Sequence, residues 1–173
     1  MRIVRILAQI AVTCVAGVAL LAAVVSTVSA STVAGGTLKF WSEATSGTGT
    51  IVVTGAVGDY GNILTIDKNG TTDPKGNYVK VTLQHGTFEV NLKTYDADWG
   101  KVSFPIDKAT CSSGAPFTGS VRLFDGCGLY KGISGTLTMT ATDIWILARD
   151  NSKCGNVLFN PMYLTGTGSV RFS

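Results

Sequence analysis

From Thr37 to the C-terminus the chain runs in short stretches that alternate apolar and polar residues, and none sustains the 3.6-residue period of a helix. "TLTMTATDIWIL", Thr136 to Leu147, is the clearest: Leu137, Met139 and Ala141 fall on one side of a two-residue period, Thr136, Thr138, Thr140 and Thr142 on the other. Threonine at every second position is poor helix material, because each branched side chain loses χ1 freedom against the preceding turn. A chain patterned this way must bury one face of a sheet.

The alternation predicts strands near Leu38 to Trp41, Thr48 to Val57, Asn62 to Ile66, Tyr78 to Gln84, Thr87 to Tyr95, Val102 to Ile106, Gly119 to Phe124, Ile133 to Leu147 and Tyr163 to Phe172. Breakers separate them: "KNGTTDPKGN", "HG", "SSGAP" and "DNSKCGN". A short turn around Tyr95 to Gly100 is the one helical possibility. Eight or nine strands at this spacing mean an antiparallel barrel or sandwich. Two Thr/Gly segments, "GTGTIVVTG" (Gly47 to Gly55) and "LTGTGSVRF" (Leu164 to Phe172), could lie side by side and close a barrel; equally, such alternation is common in β-proteins.

The opening segment reads differently. Arg2 and Arg5 precede an uncharged apolar run that ends in Val28-Ser29-Ala30, as in a cleaved export leader. Cleavage is expected after Ala30 or near Ala34; the competing reading is a retained anchor, since the run reaches the roughly 30 Å of a bilayer core. Loss of Arg2 and Arg5 leaves twelve basic against eleven acidic side chains, a balance that gives no reason to expect nucleic-acid or membrane-surface binding. Residues 1–30 are thus a leader, 31–46 an N-terminal segment and 47–173 a single β-domain, exported and without a stable membrane span once the leader is removed. Three cysteines remain. Cys111 and Cys154 lie in polar, turn-like sequence and are expected to pair; Cys127 is either a small buried filler or a free thiol.

"LFDGCGLYKGISG", Leu123 to Gly135, places glycines at 126, 128, 132 and 135. A dinucleotide loop needs a helix opening on such glycines, and here a strand follows, so they are read as a tight corner where backbones approach closely. The run Phe124, Gly126, Gly128, Tyr130, Gly132, Gly135 resembles the F-x-G-x-G-x-[YF]-x-G-x-x-G corner of allene oxide cyclase-like and dirigent-like barrels. "GTGTIVVTGAVGDYG", "YVKVTLQHGTFEVN" and "GLYKGISGTLTMT" are similar to small secreted bacterial proteins of that fold. The resemblance implies a single antiparallel barrel of about eight strands, with an apolar lumen able to hold one small ligand. Plant allene oxide cyclases cyclise an unstable fatty-acid epoxide, but none of their active-site residues can be matched to positions here.

Few side chains offer chemistry. His85, the only histidine, stands at a strand-to-strand turn, as a plain turn residue or a general base. Glu89 lies opposite Phe88, Val90 and Leu92, facing solvent unless it is a lumen carboxylate. Asp67, Asn69 and Asp73 lack the glycine and glutamate spacing of a calcium loop and suit an Asn-Gly turn. No metal or other cofactor is expected. Tyr60, Trp99, Tyr130 and Trp145 are the candidate ligand-lining aromatics, among a set with Trp41 and Tyr163 that would serve equally as core. The sequence therefore admits a barrel that binds a small apolar molecule or an envelope component, a cyclase or isomerase that shapes a substrate by orientation, or a purely structural surface protein.

Overall fold

The computed structural model describes residues 35–151 and 153–173, so the expected leader, 1–30, lies outside the described residues. The strands are β1 (Gly36–Thr45), β2 (Thr48–Gly55), β3 (Asp59–Ile66), β4 (Tyr78–Leu83), β5 (Gly86–Asn91), β6 (Ser112–Gly128), β7 (Ser134–Asp150), β8 (Lys153–Phe159) and β9 (Met162–Arg171). One short helix, α1 (Lys93–Trp99), joins β5 to β6. Strands β1 to β7 follow one another in antiparallel order, and β9 completes the circle by pairing with both β7 and β1. The result is a closed eight-stranded antiparallel barrel, with β8 outside it as a third strand on the end of β7.

Closure differs in detail from the sequence expectation. The strand that meets β9 is β1, which pairs Leu38 with Gly168 and Trp41 with Thr165; Gly47 to Gly55 lies one strand further round. The barrel wall therefore starts before position 47, inside the segment 31–46. The joint is a two-residue hairpin in which Ser46 (φ 52°) and Gly47 (φ 81°) both take the positive φ that matches strand twist.

Three further differences have local causes. Val102 to Ile106 forms no strand: Pro105 brings no N–H to a ladder, and Phe104 packs instead on Trp99, ring centroids 5.3 Å apart. "SSGAP" is the start of β6, not a break. Pairing with β5 covers only the stretch of β6 from Arg122 onward, so Pro116 lies where no strand needs its missing N–H on that side. "DNSKCGN" turns at Asn151 (φ 44°) and runs into β8, whose Val157, Leu158 and Phe159 are all exposed and so carry no alternation.

The interior is lined by inward residues of complementary size. Phe40 and Leu137 project into a barrel that β9 supplies with Gly166 and Gly168; a Cβ on Gly166 would fall on the Phe40 ring, and one on Gly168 would meet Leu137. The β6–β7 corner uses its four glycines in two ways. Gly128 and Gly132 take φ 68° and 71°, while a Cβ on Gly126 would strike the Tyr130 carbonyl and one on Gly135 the Ser169 carbonyl. Past the barrel rim, β6, β7 and β8 continue as a ribbon whose tip is tied by a Cys111–Cys154 disulfide, Cα atoms 5.2 Å apart. Cys127 is half-buried on β6 opposite Thr87, and no described cysteine is free.

Two outcomes are expected. Gly132→Val should lower unfolding free energy in urea by about 1–3 kcal/mol, the usual cost of a side chain in a left-handed backbone position; an unchanged midpoint would contradict the corner geometry. Cys111→Ser opens a loop of 43 residues and should cost about 4 kcal/mol on chain entropy, read by thermal unfolding with and without reductant.

Candidate functional site

The two ends of the barrel are built differently. At the closed end the β4–β5 turn and the glycine corner meet, Leu129 N–H donating to the His85 carbonyl at 2.8 Å. Beneath them lies Asp59, the first residue of β3, 7% exposed. Its carboxylate accepts from the Tyr130 hydroxyl (2.8 Å) and from the backbone N–H groups of Tyr60 (2.8 Å), Gln84 (3.3 Å) and His85 (3.1 Å), and His85 Nδ1 lies 3.1 Å away. Burial alone would push this carboxyl up, but the hydrogen bonds led by Tyr130 outweigh it and hold the pKa at about 2. The Tyr130 hydroxyl is pushed the other way, by burial and by the same carboxylate. Its ring packs on Phe88 at 5.4 Å, so one residue seals the apolar core and satisfies the buried charge.

The other end is open. A cavity of about 260 Å³ runs from Leu38, Val53, Phe88 and Leu137 in the middle of the barrel to a mouth formed by Ser46, Pro74, Asp96, Trp99, Asn160 and Met162. α1 covers the side of the mouth where β6 lacks a strand partner. Tyr95 fixes it there: its hydroxyl donates to the Phe117 carbonyl (3.1 Å) and accepts from Ala141 N–H (3.1 Å), and burial pushes its pKa up to about 12. Gly119 is what admits the ring, since a Cβ there would stand 2.8 Å from Tyr95 Cδ2. Trp99 stacks on Tyr95 at 6.2 Å and meets Phe117 edge-on at 5.6 Å. The polar groups of the mouth are Asp96, which takes a 3.0 Å hydrogen bond from Asn77 Nδ2, and Asn160, whose Nδ2 donates to Asp143 Oδ1 at 2.6 Å. Burial pushes the Asp96 carboxyl up and the Asn77 bond partly offsets it.

Of the four aromatics expected to line a ligand site, Trp99 is the one on the wall of this cavity. Tyr60 points outward and is 61% exposed, Tyr130 is sealed in the closed end, and Trp145 stands half-buried on the ribbon with Nε1 donating to Asp143. Their position along the strand decides this: in β3 the inward set contains Asp59 and Ile63, so Tyr60 faces out. His85 belongs to the Asp59 lock and does not line the cavity. Glu89 faces away from buried Phe88 and between Lys80 and Phe124 of the neighbouring strands; burial and Asp125 raise its pKa, against Lys80. Asp67 is engaged by the backbone N–H groups of Asn69 and Thr71, as a turn residue. Asp59 and Asp96 were not singled out from sequence, where "GDYG" and "YDADW" look like turn and helix-surface material. Searched against family models, curated proteins and solved structures, the chain matches none.

The lock has a pH signature. The folded Asp59 carboxyl is depressed from 3.8 to about 2, so its contribution, up to about 2 kcal/mol, is present above the unfolded pKa and lost as pH falls through the folded one. Tyr130→Phe removes the strongest donor, and is expected to cost about 1–3 kcal/mol at neutral pH and, by moving the folded carboxyl back toward its ordinary value, to make the acid limb smaller and end it at higher pH. Urea unfolding between pH 2 and pH 6 checks both; coincident acid limbs for variant and wild type would contradict the assignment.

Proposed function

We propose that this is an exported binding protein that holds one small, mainly apolar molecule in its lumen, polar end at the mouth, and does no chemistry on it. The observation that carries the reading is the cavity: lined along most of its depth by apolar side chains, with Asp96 and Asn160 at its mouth. At about 260 Å³ it is close to the roughly 300 Å³ lower bound of ligand pockets and has room for about nine water-sized groups at some 30 Å³ each. Catalysis has less support. Asp96 is the one acidic side chain on the lining, at its rim, and the Tyr95 hydroxyl is committed to backbone on both sides.

The apolar leader sequence and the Cys111–Cys154 bridge favour export to an oxidising compartment. The glycine corner's resemblance to allene oxide cyclase-like and dirigent-like barrels favours a lumen of this kind. Asp96 narrows the ligand further. A carboxylate at the rim accepts hydrogen bonds and repels anions, so an alcohol or amine head suits the site better than a carboxylate.

Binding of n-octanol and octanoate, followed by displacement of a fluorescent apolar dye, tests this. Octanol is expected to displace the dye at least tenfold more effectively than octanoate at neutral pH, and Asp96→Asn to narrow the gap. Ala44→Phe, which places a ring in the cavity from β1, should abolish displacement while keeping the thermal midpoint within a few degrees. Dye uptake by Ala44→Phe equal to wild type would overturn the lumen as the site.

A further inference from the structure

We infer that the outer wall of the barrel, across β7, β9, β1, β2 and β3, is a carbohydrate-binding face for a neutral polysaccharide. The face follows from pairing register. Thr140, Thr165, Trp41, Val52 and Tyr60 are consecutive cross-strand neighbours on the outside of five adjacent strands. Thr138, Thr167, Lys39 and Thr54 form the next row along, and Thr142, Tyr163, Glu43, Thr50 and Asn62 the row on the other side. Adjacent strands stand about 4.8 Å apart and same-face residues about 7 Å apart, so the three rows make a grid of hydroxyl, amide and aromatic groups.

Trp41 and Tyr60 stand out on that grid. They are 46% and 61% exposed, where outward aromatics would gain by being covered. Two strand spacings, about 10 Å, separate them, and Val52, itself 46% exposed, fills the gap at the same level. That separation is roughly the length of a disaccharide unit. Beside Trp41, Thr138, Thr140, Thr165, Thr167 and Lys39 line a shallow external trough of about 390 Å³.

The chemistry selects the occupant. The aromatic ring presents a partly negative face to C–H groups, and the face of a pyranose ring is a patch of such groups edged by hydroxyls. Threonine hydroxyls donate and accept, as sugar hydroxyls do. Lys39 and Glu43 flank Trp41 with opposite charges, which suits a neutral polymer. A protein interface would want an apolar centre broad in both directions, whereas here Trp41, Val52 and Tyr60 make a single row bordered by Lys39 and Thr54 on one side and by Glu43, Thr50 and Asn62 on the other.

The probes are insoluble cellulose and chitin, with retention of the protein measured by depletion from solution. Wild type is expected to be retained on at least one, Trp41→Ala and Tyr60→Ala each to lose at least tenfold, and Trp41→Phe to recover most of the loss. Because both side chains are exposed, dye displacement by octanol and the thermal midpoint should be unchanged in all variants, which separates this face from the lumen. Retention of the Trp41→Ala, Tyr60→Ala double variant equal to wild type overturns the inference. So does wild type that ignores both polymers, and if it self-associates while the double variant is monomeric in sedimentation velocity, the face is an interface between copies instead.

Discussion

Closure of the sheet is the constraint on which everything else rests. Eight antiparallel strands wrapped into a cylinder leave an interior just wide enough for side chains or for one small molecule, and they leave no free edge on the wall. Which of the two contents results depends on where bulk is placed. Near the closed end Phe88, Leu123, Ile133 and Tyr130 fill the bore. Towards the mouth the inward positions carry Ser42, Ala44 and Ala141, and space remains. Glycines at 166 and 168 let Phe40 and Leu137 lean across without forcing the wall apart.

The polar groups follow the same division. Asp59 is buried where nothing passes, and every hydrogen-bonding demand of its carboxylate is met from three different segments of chain. It holds hairpin and corner together and specifies one closed end, at the desolvation cost any buried charge carries. Asp96, Asn77 and Asn160 lie at the opposite rim. A buried carboxylate thus fastens one end of the barrel while a half-buried one lies on the rim of the cavity at the other.

Much of the architecture was legible in the sequence. β7 announces itself because one of its faces is buried along most of its length, so Leu137, Met139 and Ala141 recur at every second position. Tight turns with glycine and asparagine mark the hairpins, and the bridge between Cys111 and Cys154 is the one expected of two cysteines in polar, turn-like sequence. What stayed hidden has a common cause. β8 buries neither face, the first half of β6 has a helix in place of a neighbouring strand, and Val102 to Ile106 is extended without a ladder. In each case hydrophobic periodicity reports burial, and the strand state is set by something else. The aromatics show the same limit: residue type marked Tyr60 and Trp145 as candidates, but strand parity, fixed by Asp59 and Ile63, sends Tyr60 outward, and the pairing of β7 with β9 ends at Asp143, before Trp145 is reached.

The seam between β1 and β9 has a consequence for how the protein comes into being. It joins residues 36–45 to 162–171, so the first strand of the wall waits for nearly the whole chain before it finds its second partner. β7, too, lacks its inner neighbour until β9 emerges. A growing chain therefore carries open strand edges to the end of synthesis, with contacts of high sequence separation made last and slowly. Such a chain is poorly suited to folding beside the ribosome. Its wall closes only once β9 is available to join β7 to β1.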